Sequence, residues 1–105
     1  MLTGKQKRFL RSQGMTMKPL INVGKNGMSE SFSDGVLKAI ETRELIKISL
    51  LQAAETTPKE VGAYLADAID GLEVAQTIGR TLLVYRKATD PDNRDISTKL
   101  RNYRK

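Results

Sequence analysis

The sequence predicts an α/β (α+β) fold, a mixed four-stranded sheet with helices mainly on one face, in the order α-β-α-β-α-β-β. Three observations point there. Thr3-Gly4-Lys5-Gln6 and Thr57-Pro58-Lys59-Glu60 each set a threonine three residues ahead of Gln or Glu, the capping-box pattern that opens a helix. Short runs such as Ile46, Ile48 and Leu50, interleaved with Lys47 and Ser49, alternate with the period of two that belongs to a strand with one buried face. The last two runs meet at Gly79-Arg80, a Gly-X pair suited to a type II′ hairpin. At 105 residues there is material for one core. The domain is expected over residues 1–88, with a basic tail over 89–105 that is expected to fray or be disordered.

The first helix runs from about Gly4 to Gln13, with Gly14 as its stop. Leu2, Gln6, Phe9, Leu10 and Gln13 fall on one side of it, and Lys7, Arg8 and Arg11 on the other. KPLINVG becomes a strand just after Pro19, with Ile21 and Val23 on one face. Ser29 caps the second helix, Glu30 suits its first turn, and Met28, Phe32, Val36, Leu37 and Ile40 form the apolar stripe. Gly35 in mid-helix suggests close packing on the sheet, since it costs about 1 kcal/mol against alanine. LIKISLL follows as a strand whose second face looks partly wet. In the third helix Pro58 takes the first position, Val61, Leu65, Ala68, Ile69 and Leu72 face inward, and Gly71 marks the end. LEVAQTIGRTLLVYRK supplies the hairpin. Parallel strands joined by helical crossovers, closed by that hairpin, give the mixed sheet. Beyond Lys87 a Pro-Asp-Asn turn signal precedes Ile96, Leu100 and Tyr103 at helical spacing.

Composition narrows the function. No apolar run nears the roughly 20 residues that span a bilayer, and the N-terminus has no apolar core of a secretory signal. No membrane partner is therefore expected. The absence of cysteine suits a cytoplasmic setting, and the absence of histidine removes the commonest general base and metal ligand. Neither a Walker-type phosphate loop nor a dinucleotide fingerprint is present. Glu41, Glu44, Asp67 and Asp70 have the spacings of exposed helix faces. Hence no enzyme, cofactor, metal or small-molecule substrate is expected. A net charge of +6 points instead to a polyanion.

The stretch Gly24-Lys25-Asn26-Gly27 sharpens that expectation. Asn-Gly is a strong turn signal in its own right. A turn leading into a helix also gathers free backbone N–H groups and the positive end of the helix dipole, glycines let a polymer backbone approach closely, and Lys25 adds a cation. KH domains clamp nucleotide backbones with a Gly-x-x-Gly loop for these reasons. Taken alone the motif is weak.

LTGKQKRFLR, KPLINVGKNGMSES, RELIKISLL and IGRTLLVYR, in this order from about Leu2 to Arg86, closely resemble the YhbY family, whose single domain is the CRM (chloroplast RNA splicing and ribosome maturation) domain. The resemblance implies a fold like the C-terminal domain of translation initiation factor three. It also implies RNA binding, with single-domain bacterial members associated with precursors of the large ribosomal subunit. By position, Gly24, Lys25, Asn26 and Gly27 match the family's backbone-contacting loop, and Lys5, Lys7, Arg8 and Arg11 its basic surface. SQGMTM departs from the family's more leucine- and histidine-rich end of the first helix.

The expected function is therefore a non-catalytic, monomeric RNA-binding protein that binds ribosomal RNA and assists large-subunit assembly. Arg80 and Arg86 are further RNA-binding candidates, each balanced against a merely solvated charge. With aromatics at 5% and no tryptophan, base stacking is expected to be minor. The alternative is a basic module that docks on a ribosome-assembly or helicase partner through the wet sheet face and the tail, with RNA contact incidental.

Overall fold

The computed structural model describes residues 2–25 and 27–103. The elements follow the predicted order: α1 (Gly4–Gly14), β1 (Ile21–Val23), α2 (Glu30–Arg43), β2 (Leu45–Leu50), α3 (Pro58–Ala68), β3 (Glu73–Ile78) and β4 (Thr81–Tyr85). A further short helix, α4 (Asp95–Leu100), lies between single turns of 3-10 helix at Pro91–Asn93 and Arg101–Tyr103. The sheet order is β1-β2-β4-β3. β1 and β2 are parallel, and β4 runs antiparallel to both of its neighbours. β3 and β4 join through the predicted two-residue turn, with Ile78 opposite Thr81 and Gly79 at φ +56°, where glycine carries no side-chain penalty.

Alternation along the two central strands sorts the core into two layers. Ile46, Ile48, Leu82 and Val84 pack with Val36 and Ile40 of α2 and Val61 and Leu65 of α3. Leu45, Leu83 and Tyr85 point the other way and pack with Leu2, with Leu10 of α1 and with Leu100 of α4. α2 and α3 thus stack on one face as expected, but the second face is covered rather than open. Even Lys47, which gave that face its wet character, bends its ammonium to the Gly14 and Met17 carbonyls at 3.1 and 3.4 Å. Its aliphatic stem can lie along apolar surface while its charged end finds backbone acceptors.

Several local expectations change. Leu37 is 38% exposed, because Phe32, Val36 and Ile40 at steps of four set the stripe and Leu37 lies one position round the helix. Ala68 is exposed, since α3 ends there and Ile69 turns extended to reach the core. Gly35 faces open space. The tight helix–sheet contacts are at Gly14 and Gly62 instead. A Cβ on Gly62 would stand 2.7 Å from Val74 Cγ2, and one on Gly14 would stand 2.9 Å from Leu83 Cδ2. Gly14 accordingly serves as a packing glycine, and the helix cap proper is Met15 in ordinary αR geometry.

The segment expected to fray is folded over residues 89–103, and residues 104 and 105 lie outside the described residues. Ile96 and Leu100 close the lower layer, and Glu44 anchors their helix from the far end of α2. Glu44, read from spacing as an exposed carboxyl group, is completely buried. Its side chain accepts from the Ala88 and Ser97 N–H groups, each at 2.8 Å, and from the Ser97 hydroxyl. Ser97 Oγ in turn lies 2.5 Å from the Tyr85 hydroxyl, whose ionisation burial opposes. Glu44 holds φ +63°, a region that costs a non-glycine residue about 1–3 kcal/mol and persists only where surroundings fix it. The hydrogen bonds just named are those surroundings.

Candidate nucleic-acid interface

The capping box at the head of α1 forms as predicted: Gln6 N–H donates to Thr3 Oγ1 at 3.1 Å, and Thr3 N–H donates to Gln6 Oε1 at 2.9 Å. Leu10 is completely buried against the sheet and fixes the rotation of the helix. That rotation leaves Lys5, Lys7, Arg8 and Arg11 exposed, and among the described residues none of the four is in an ion pair. α1 contains no carboxylate at all. The helix therefore presents a face of unneutralised cations to solvent.

The Gly24–Gly27 loop leaves the end of β1, where the Leu51 N–H donates to the Val23 carbonyl at 2.9 Å. Gly27 N–H closes the turn on the Gly24 carbonyl at 3.0 Å, and Gly27 holds φ +66°, which an asymmetric residue rarely adopts. Lys25 is exposed. Asn26 lies outside the described residues. The turn does not run straight into the helix: Met28 and Ser29 intervene, and Ser29 Oγ takes the Phe32 N–H at 3.1 Å, so one of the free amides at the helix start is already occupied.

Arg80 and Arg86 are placed differently from the other predicted site residues. Arg80 donates from Nε to the Leu50 carbonyl at 3.2 Å and from Nη2 to the Leu51 carbonyl at 2.5 Å, while its own carbonyl accepts the Leu50 N–H. It ties the hairpin turn to the end of β2. Arg86 donates from Nε to the Asp70 carbonyl at 2.7 Å and pairs with Glu41 Oε1 at 3.2 Å, with its side chain 17% exposed. Glu41 also accepts from the Thr89 N–H and hydroxyl and from the Asp90 N–H, and these bonds with the Thr89 ones foremost, together with Arg86, hold its pKa at about 2 against an ordinary 4.5. Both arginines are engaged within the fold.

Charge has a distribution that its sum conceals. Before Glu30 the sequence holds Lys5, Lys7, Arg8, Arg11, Lys18 and Lys25 and no acidic residue, so the entire excess of +6 resides there. The remaining twelve Lys and Arg residues match the twelve carboxylates in number. After Asp95 the chain again carries cations only. The fold joins these two cationic ends. Thr3 Oγ1 donates to the Tyr103 carbonyl at 3.1 Å, Gln6 Nε2 donates to the Leu100 carbonyl at 3.4 Å, and the rings of Phe9 and Tyr103 stack. Arg101 thereby borders the same cavity as Lys5 and Arg8, a neighbourhood not deduced from the sequence. The only local signal for it is the helical spacing of Ile96, Leu100 and Tyr103.

Comparison with known proteins bears on this arrangement. The CRS1/YhbY (CRM) domain model matches residues 2–86. The chain is 40% identical over 90 residues to "Probable RNA-binding protein YqeI" of Bacillus subtilis, spanning 86% of this chain and 93% of that protein. It is 33% identical over 96 residues to "Probable RNA-binding protein PA4753" of Pseudomonas aeruginosa, spanning 91% and 90% respectively. The solution structure of the hypothetical protein SAV1595 from Staphylococcus aureus superposes with a TM-score of 0.71 at 37% identity, covering 87% of this chain and 94% of that one.

Proposed function

This chain belongs to the CRS1/YhbY (CRM) domain family, and from that premise we propose that it is a non-catalytic RNA-binding protein that holds RNA backbone on the basic face of α1 and the Gly24–Gly27 loop. The observation that carries this reading is the placement of the whole +6 charge excess before Glu30, with four of its six cations on α1, exposed and in no ion pair among the described residues. Ammonium and guanidinium groups neutralise phosphates and release condensed counterions. Backbone amides at the loop position one phosphate, and specificity then comes from RNA shape. The names of the curated relatives support the polyanion's being RNA.

The RNA we assign is ribosomal, and the task is assistance in assembly of the large ribosomal subunit, as the resemblance to the YhbY family implies. Cytoplasmic action as a monomer goes with that assignment. No described helix is long and apolar enough to cross a membrane. The competing reading, a protein-docking module, puts its interface on the wet sheet face and the tail. That face lies beneath α1 and α4, and the described part of the tail is folded onto it.

Two measurements test the proposal. RNA affinity should fall with added salt by about 0.7 to 0.9 of a log unit per phosphate contact for each tenfold change, and a flat response removes the phosphate model. In lysate sedimented through a sucrose gradient, the wild-type protein should travel with large-subunit precursors, and Lys25→Asp with Asn26→Asp should release it to the top. Comigration that survives the double substitution would reduce the loop to a turn. Wild-type protein that stays at the top would overturn the ribosomal assignment.

A further inference from the structure

The C-terminal segment does more than cover the sheet. Where residues 101–103 meet α1 they enclose an open cavity of about 810 Å³, walled by Lys5, Arg8 and Arg101 around Phe9 and Tyr103. The two rings are stacked with centroids 4.8 Å apart and planes 17° from parallel. One face of Tyr103 is thus engaged with Phe9, yet the residue stays 40% exposed. Among the described residues none of the three cations is in an ion pair, so the aromatic pair sits in a positively charged setting.

We propose that this cavity is a nucleotide subsite, in which one base of a single-stranded RNA segment stacks on Tyr103 while the flanking phosphates lie against Lys5, Arg8 and Arg101. The inference rests on the RNA-binding reading above and deepens it. Three cations alone attract any polyanion, and two stacked rings alone are ordinary packing. Their combination is what a nucleotide, with a planar π face and an anionic linkage a few ångströms away, is suited to occupy. A peptide segment rich in carboxylates satisfies the charge but leaves the ring without a partner. Lys5, Arg8 and Phe9 belong to the matched family domain, whereas Arg101 and Tyr103 follow residue 86 and lie beyond it. It refines the expectation from composition: aromatics are few, but one exposed ring is placed where stacking can act together with charge.

The test uses the full chain and two probes of equal length, a single-stranded oligouridylate and an abasic ribose-phosphate oligomer that offers phosphates without bases. Wild-type protein should prefer the oligouridylate. Tyr103→Leu keeps apolar packing against Phe9 but removes the aromatic face, and should cost about tenfold in oligouridylate affinity with little change for the abasic probe. Tyr103→Phe should behave as wild type. Arg101→Glu should weaken both probes. Thermal unfolding of each variant checks that the segment stays docked, and photocrosslinking of a thiouridine-substituted probe to wild-type protein should mark Tyr103. If Tyr103→Leu, folded as wild type, kept its preference for bases, or if the crosslinks mapped only to other elements, the subsite would be overturned while RNA binding stood. Wild-type protein that bound neither probe would overturn the RNA reading and the subsite together.

Discussion

The two ends of α2 are built in opposite ways. Ahead of its first turn, the Gly24–Gly27 loop is closed by one backbone hydrogen bond, Ser29 supplies the cap, and Lys25 stands in solvent. At its last turn, Glu41 and Glu44 collect donors from Arg86, Ala88, Thr89, Asp90 and Ser97, and so fasten the end of β4 and the chain from there to α4 to the helix. One end leaves a backbone turn available to a ligand, and the other consumes its polar groups internally. The inward carboxyl groups serve the fold, while the basic face owes its sign to the sequence, which carries six cations and no acidic residue before Glu30.

The largest way to break that contrast is at Glu44. Replacing it with alanine strands the Ala88 and Ser97 N–H groups in the interior, and an unsatisfied buried donor costs about 1–3 kcal/mol. Glu44→Ala should therefore lower stability by about 3 kcal/mol in urea unfolding. It should also release α4, visible as loss of amide protection at Ser97 and Leu100. A change within about 0.5 kcal/mol, the range of ordinary surface substitutions, would mean that the C-terminal end of α2 is no more committed than the loop at its start.

Arg86 offers a smaller and more discriminating test, because it was a candidate RNA contact and the fold engages it. Arg86→Ala removes the bond to the Asp70 carbonyl and the pair with Glu41, and should cost about 1–2 kcal/mol of stability. RNA affinity, measured where the variant is fully folded, should stay within about twofold of wild type, well under the tenfold that 1.4 kcal/mol represents. A large loss of affinity with unchanged stability would return Arg86 to the interface and blur the division between inward and outward charge.

What could be read from the residues themselves divides along physical lines. Capping boxes, period-two runs and the Gly79-Arg80 turn are local signals, and they yielded the element order and the hairpin. The exposed face of α1 was legible too, since Leu10 and the 3.6-residue period determine which cations point away from the sheet. Glu44 was not, because its burial depends on Ala88 and Ser97, which are 44 and 53 residues away in sequence. Gly62 was missed for a similar reason: its close partner, Val74, belongs to β3 and not to its own helix, whereas Gly35 attracted notice only by its position in a helix. Arg80 and Arg86 show the limit for site residues. A basic side chain near a turn looks the same whether it meets a phosphate or a backbone carbonyl, and only the fold shows the carbonyls of Leu50, Leu51 and Asp70 within reach.

The smallest effect sharpens the contrast by pH. Glu41 holds a folded-state pKa of about 2 against an ordinary 4.5, chiefly because the Thr89 hydroxyl and N–H donate to its carboxylate. A depressed carboxyl pKa means that the folded state binds its proton less readily than the unfolded chain does. The stabilisation is therefore fully present above about pH 4.5 and is lost as the pH falls towards about 2. The side chain is 28% exposed, so solvent screening keeps the contribution modest. The direct readout is local: the amide resonances of Thr89 and Asp90, followed through an acid titration, should move with a midpoint near 2. Glu41→Gln should abolish that transition and remove the associated pH dependence of stability. A midpoint near 4.5 would show that the clasp at the end of α2 leaves the carboxylate as free as a surface group, and the two ends of the helix would then differ in geometry but not in how firmly they hold charge.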